Sequence, residues 1–206
     1  MTPDWIAVDW GTSNLRVWAM QGDQVLAHSA SDEGMSKLAA QDFEPALLRL
    51  IAGWLGAGVM PVIACGMVGS RQGWREVPYR AVPCAPVQAG ALAAVATLDP
   101  RISVQIVAGL KQSAPADVMR GEETQIAGAL AGLSGFDGVF CLPGTHSKWV
   151  GIAQGQVAGF RSFITGELFA LLAEHSVLRH GLSGEGWDDA GFEQGVTEAF
   201  AAPLAG

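Results

Sequence analysis

WIAVDWGTSNLRVWAM, residues 5–20, decides the fold. WIAVDW (5–10) reads as a buried strand that ends in an acid, GTSN (11–14) as a turn and LRVWAM (15–20) as a second strand. QGDQ (21–24) turns the chain again and VLAHSA (25–30) is a third strand, so the chain opens as an antiparallel meander with short turns. Outward from there, Leu47, Leu48, Ile51 and Leu55 recur at helical spacing within 43–58 and predict a helix ending in glycines. MPVIACG (60–66) is a buried strand, 66–86 is a loop rich in Gly and Pro, and VQIVAGL (104–110) is another strand. GEETQIAGALAGL (121–133) is a helix opened by acids, which suits its positive N-terminal dipole.

The pattern then restarts. GVFCL (138–142) is a strand, GTHS a turn, KWVGIA (148–153) a strand, QGQ a turn and VAGFRSF (157–163) a strand, followed by helices at 165–178 and 188–200. Strand, Gly-Thr turn, strand, turn, strand and helix therefore occur twice, at 5–58 and 138–178, without a short sequence repeat. The expected class is α/β, with two similar folds.

Composition narrows the function. The chain has 206 residues, half of them hydrophobic and 16% charged, enough apolar material for a sizeable core. A net charge of −8 argues against a general attraction to nucleic acid or anionic membrane, so contacts to an anionic ligand must be local. Cys65, Cys84 and Cys141 are widely spaced and suggest neither a disulfide framework nor a zinc site, which fits a reducing cytoplasm. The first residues lack a basic, then apolar, leader pattern, and no apolar run approaches a membrane span.

A tight turn between antiparallel strands can aim several backbone N–H groups at one point, and Thr or Ser hydroxyls add donors. Taken alone, each Gly-Thr turn reads equally as an ordinary hairpin; together, in repeated architecture, they suggest a clamp on successive phosphates. Asp9, at a strand end, suits a Mg²⁺ held through water, Asn14 and Arg16 would complete the first anion site, and Lys148 would supply a point charge at the second. A Ser147–His146 dyad fails, because neighbouring strand residues face opposite ways. Walker A and the G-x-S-x-G elbow are absent. Glu122 and Glu123 are either dipole caps or one cap and one general base, since consecutive helix residues point about 100° apart. The loop at 65–80, with Arg71, Trp74, Arg75, Tyr79 and Arg80, suits a polyol bearing a carboxylate, or is an ordinary surface loop.

Five ordered blocks, VDWGTSNLRVW, ACGMVGSRQGW, VMRGEETQ, LPGTHSKWV and FITGELF, closely resemble the 2-dehydro-3-deoxygalactonokinases, sugar-acid kinases of the actin/hexokinase/Hsp70-type ATPase superfamily. The resemblance implies a duplicated ribonuclease-H-like fold, with a complete first domain at 1–135 and a partial second at 136–206. It implies ATP-dependent, Mg²⁺-assisted phosphorylation of the 6-hydroxyl of 2-dehydro-3-deoxy-galactonate in galactonate breakdown. Asp9, Gly11, Thr12, Ser13, Asn14 and Arg16 match the superfamily's first phosphate loop, Asp9 also serving the metal; Gly144, Thr145, His146 and Lys148 match the second. Aligning GEETQ with the Gly-Asp-Gln-Gln stretch of related sugar kinases puts Glu122 on the catalytic aspartate, one methylene longer, with Glu123 the second candidate. Ser70, Arg71, Trp74 and Arg120 would bind the sugar acid. Family members continue past PLAG (203–206) through a glycine-rich, adenosine-holding segment, so an incomplete ATP site is expected, with apolar surface that would drive homo-oligomer formation.

Overall fold

A computed structural model describes residues 3–181, 186 and 188–202; PLAG lies outside them. The chain forms two compact units, 1–165 and 166–206.

The first unit is built on β1 (Trp5–Trp10), β2 (Leu15–Gln21), β3 (Gln24–Ser31), β4 (Met60–Gly66), β6 (Ala93–Val95) and β7 (Ile102–Ile106), in the order β3-β2-β1-β4-β7-β6. β1, β2 and β3 pair antiparallel as a meander, β4 and β7 run parallel to β1, and β6 closes the edge antiparallel. Alternation explains the sidedness: Ile6, Val8 and Trp10 of β1 are buried and so are Val62 and Ala64 of β4. Helix α1 (Phe43–Ile51) lies in the β3–β4 crossover and packs Phe43, Ala46, Leu47 and Ile51 into the same core. α1 stops seven residues short of the expected 58. A 3-10 turn follows at Ala52–Trp54, because Gly53, Gly56 and Gly58 give up too much chain entropy to propagate a helix.

The expected strand at 104–110 is also two elements. β7 ends at Ile106, and β8 (Leu110–Ser113) begins a hairpin with β9 (Ala116–Met119), β8 also pairing with the short β5 (Arg80–Ala81). The break falls where Gly109 passes so near Met119 O that a Cβ there would lie 2.5 Å from it. β9 leads directly into α2 (Glu122–Ala131). A third sheet, β10 (Gly138–Leu142), β11 (His146–Ala153) and β12 (Gln156–Ile164), is an antiparallel meander. A second core of Leu110, Met119, Ile126, Val150, Ile152, Val157 and Phe160 joins it to β8, β9 and α2. Gln112 fastens the junction, its side chain accepting from Phe160 N at 2.8 Å and donating to Phe160 O at 2.7 Å.

The second unit contains α3 (Gly166–His175), a 3-10 turn at Val177–Gly181 and α4 (Asp189–Ala201), which Asp188 caps by accepting from Gly191 N at 3.1 Å. No helix among the described residues is long and apolar enough to cross a membrane.

Candidate active site

Asp9 is the next-to-last residue of β1, just before the chain leaves the sheet for the 11–14 turn. That turn is bound through its carbonyls. Gly11 O accepts from Met35 N at 2.9 Å, Thr12 O from Ser36 N at 3.0 Å and Ser13 O from Gly34 N at 3.2 Å. Gly34 presses so closely that a Cβ would sit 2.2–2.4 Å from the backbone of Thr12, Ser13 and Asn14. With the carbonyls consumed on one side, the amides of Thr12 and Ser13 find no partner among the described residues. Unpaired amides of this kind are what an anion needs.

The second turn, Pro143–Gly144–Thr145, is exposed. Gly144 O accepts from the Thr165 hydroxyl at 3.2 Å, while the amides of Gly144 and Thr145 are likewise without a partner among the described residues. His146 and Ser147 face opposite sides of β11, the first exposed and the second buried, as strand geometry requires.

Both turns line one cleft of about 500 Å³ within the first unit. Its walls include Asp9, Gly11, Thr12, Arg120, Glu122, Gly144, Thr145, His146 and Lys148 from the sequence-derived set. Ser13 and Asn14 of the first turn, and Arg16 just beyond it, do not join the lining. Arg16 Nη1 instead pairs with Asp9 Oδ2 at 3.2 Å, both half-exposed.

Lys148 is buried at the cleft wall. Its ammonium donates to Val118 O at 2.7 Å and to the Ser162 hydroxyl, with Asp117 Oδ1 at 3.6 Å. Its charge is therefore shared inside the protein.

The two glutamates part company. Gly121, at φ +113°, turns the chain into α2, and Glu122 reaches back so that its Oε2 accepts from Arg120 N at 2.9 Å while lining the cleft. Glu123 is fully buried, turned away, with its oxygens 2.9 and 2.8 Å from Gly121 N. Burial pushes Glu123 up to about 7. The Cys65 thiol is pushed up to about 12, first by burial and then by the nearby charges of Asp9 and Glu123.

Arg120 sits with its guanidinium carbon 4.2 Å from the Tyr79 ring centre and donates from Nη2 to Val77 O at 2.8 Å. Its Nη1 and the Ser70 hydroxyl are buried without a hydrogen-bond partner among the described residues. Ser70, Arg71 and Trp74 are outside the cleft lining. Arg71 is exposed, and Trp74 is drawn into the core, stacked on Phe43 (6.2 Å, 14°) and edge-on to Trp10 (6.1 Å), because a large ring gains more from burial than from a wet loop.

Tyr79, which the sequence placed in the candidate sugar-acid loop, also lines the cleft, as do Gly66, Met67 and Gln125, which the sequence did not single out as site residues. Gly66 had a readable signal, a glycine ending a buried strand. Its φ of +93° brings the backbone within contact of Trp10 O, where a Cβ would lie at 2.7 Å.

The family model described as 2-keto-3-deoxy-galactonokinase matches residues 9–205. A candidate 2-dehydro-3-deoxygalactonokinase, DgoK1, of Rhizobium meliloti (strain 1021) is 44% identical over 181 residues, 86% of this chain and 58% of that protein. The 2-dehydro-3-deoxygalactonokinase of Escherichia coli (strain K12) is 36% identical over 206 residues, 98% of this chain and 68% of its own length. A solved structure of a candidate 2-dehydro-3-deoxygalactonokinase from Sinorhizobium meliloti superposes with a TM-score of 0.80 at 43% identity, covering 91% of this chain and 62% of that one. The chain thus spans about three fifths of the Rhizobium and Sinorhizobium proteins. It belongs to the 2-keto-3-deoxy-galactonokinase family.

Proposed function

We propose that this chain carries the phosphate clamp and the base of an ATP-dependent sugar-acid kinase acting on the 6-hydroxyl of 2-dehydro-3-deoxy-D-galactonate, in galactonate catabolism. The observation that carries the reading is the single cleft that gathers both Gly-Thr turns, Asp9 and Glu122. The names of the relatives support the substrate and the use of ATP. The sheet order β3-β2-β1-β4-β7, antiparallel then parallel, supports a ribonuclease-H-like reading of 1–135, with the β10–β12 meander opening a second such domain at 136–206.

Phosphoryl transfer asks mainly for positioning, charge neutralisation and a base. The amides of Thr12, Gly144 and Thr145 hold phosphate oxygens, and the hydroxyls of Thr12 and Thr145 add donors. Glu122 accepts the proton of the attacking hydroxyl. Arg120, at the same wall, faces the carboxylated substrate, and Ser70 and the exposed Arg71 belong to the same proposed sugar-acid set. Asp9 and Glu122 are the two carboxylates of the cleft lining, and no group of three metal-binding side chains occurs among the described residues. That donor set suits a Mg²⁺ that keeps most of its water and takes further oxygens from phosphate. Bound there, the ion would neutralise phosphate charge.

The test is ATP-dependent phosphate transfer to 2-dehydro-3-deoxy-D-galactonate, compared with E122Q. Loss of the base should lower kcat by about 10²–10⁴-fold with little change in KM. Undiminished turnover in E122Q would remove Glu122 from the role.

A further inference from the structure

Glu123 is a costly residue whose role the proposed chemistry leaves open. It is fully buried, and none of the ion pairs among the described residues includes it. A carboxylate held away from water with no cation is retained only where its hydrogen bonds matter. Those bonds are specific. Both oxygens lie within 2.9 Å of Gly121 N, and the Thr124 hydroxyl donates at 3.3 Å.

The reason lies in how α2 begins. A helix start needs an acceptor for its first amides, normally the side chain of the N-cap residue. Here the N-cap is Gly121, which has no side chain. Glycine is needed because φ is +113°, a conformation that residues with a side chain rarely adopt. The acceptors therefore come from inside the helix. Glu123 folds back onto the Gly121 amide, and Glu122 folds back onto the Arg120 amide at 2.9 Å. The first bond faces the interior and the second faces the cleft.

We propose that Glu123 is a positioning residue of this site. By holding the Gly121 amide it fixes the turn that keeps the Glu122 carboxylate on the cleft wall, bonded to Arg120 N–H. The catalytic consequence rests on the reading of Glu122 as the base; the structural consequence does not. Without the Glu123 acceptor, the Gly121 amide loses its partner, the glycine relaxes from its left-handed conformation and Glu122 loses its bond to residue 120.

The experiment uses the 206-residue chain and the variants E123A, E123Q and E122Q. The amide resonances of Arg120 and Gly121 are followed by NMR, together with kcat, KM and the thermal midpoint. In E123A both amide protons should move upfield, and kcat should fall about 10²-fold at nearly constant KM, the cost of misplacing a reacting group by about 1 Å. E123Q keeps a side-chain oxygen at the Gly121 amide and should restore both resonances and most of the turnover. An Arg120 amide that stays put in E123A overturns the proposal, with or without turnover. So does a kcat loss that E123Q fails to rescue and that merely follows the thermal midpoint. E122Q separates the two readings: full turnover there removes Glu122 as base, while the amide shifts of E123A still decide whether Glu123 positions it.

Discussion

The two Gly-Thr turns look alike in sequence and are made rigid in opposite ways. The first is held through its backbone: three carbonyls bond to Gly34–Ser36, and Gly34 fits with no room for a methyl group. Its charged neighbours are loose, Asp9 and Arg16 pairing with side chains 37% and 54% exposed. The second turn has open space around Gly144, where a Cβ would meet nothing closer than His146 O at 3.6 Å. What anchors it is the buried Lys148, bonded to Val118 O and Ser162 and close to Asp117. One turn is thus shaped by steric fit and the other by an interior charge. Residue types alone cannot separate these, because both turns carry a cation a few positions downstream.

The largest expected effect probes the buried charge. Lys148→Met removes the cation from Asp117 and the donor from Val118 O, and should cost about 3 kcal/mol by urea titration. Asp117 keeps its bonds from Ser162 N, the Ser162 hydroxyl and Val118 N, which holds the loss near the low end for a broken buried pair. A loss under about 1 kcal/mol would mean that Lys148 behaves like a surface charge, and the contrast between the turns would collapse.

The start of α2 is pH-sensitive. Burial above all, with the neighbouring charge of Glu122 adding to it, raises Glu123 from the ordinary glutamate value to about 7. A raised carboxyl binds its proton more tightly folded than unfolded. Its contribution is fully present below the unfolded value of 4.5 and is lost as pH rises through about 7. Stability measured by chemical denaturation should therefore fall between about pH 5 and 8, by up to about 3 kcal/mol from this group. E123Q should remove that dependence. A stability that is flat or rising over this window in the parent chain would show that Glu123 is not enclosed as described.

Much of the first sheet was legible because its strands carry period-two burial and are joined by turns with few alternatives; 5–31 follows the expected meander closely. The 43–58 helix was overextended because periodicity continues to Leu55 while three glycines remove the entropy balance that sustains it. β6, β8 and β9 were invisible for another reason. Ala93–Val95 and Ala116–Met119 are short, alanine-bearing edge or hairpin strands, too brief for an alternating pattern to stand out. Within the site, the two Gly-Thr turns could be read from local chemistry, whereas Glu122 and Glu123 stood as alternatives that only the resemblance to sugar kinases ranked. The assignment of Trp74 to the ligand loop could not be corrected from sequence, since only the fold brings Trp10 and Phe43 beside it. The different fates of Glu122 and Glu123 hinge on the φ of Gly121, which a sequence does not display.

Steric shaping of the first turn predicts a smaller but cleaner asymmetry. Gly34→Ala places a methyl 2.2–2.4 Å from backbone atoms that cannot swing aside, and should cost about 2 kcal/mol. Gly144→Ala meets no such wall and has no left-handed φ to strain, so it should stay within about 0.5 kcal/mol of the parent. Thermal melts of the two variants side by side suffice. Equal losses would mean that the second turn is as tightly braced as the first.

The smallest effect belongs to Arg16→Ala. The Asp9–Arg16 pair is a single 3.2 Å contact between exposed side chains, so losing it should cost less than about 1 kcal/mol, and the difference should fade by about 1 M salt. The stability loss of Lys148→Met should persist in the same salt, because its partners lie inside the protein. Salt is thus the variable that separates a charge held in water from one held in the fold. If Arg16→Ala destabilised the chain by a salt-insensitive amount comparable to Lys148→Met, the first turn would also depend on a charge, and the division between steric and electrostatic bracing would not hold.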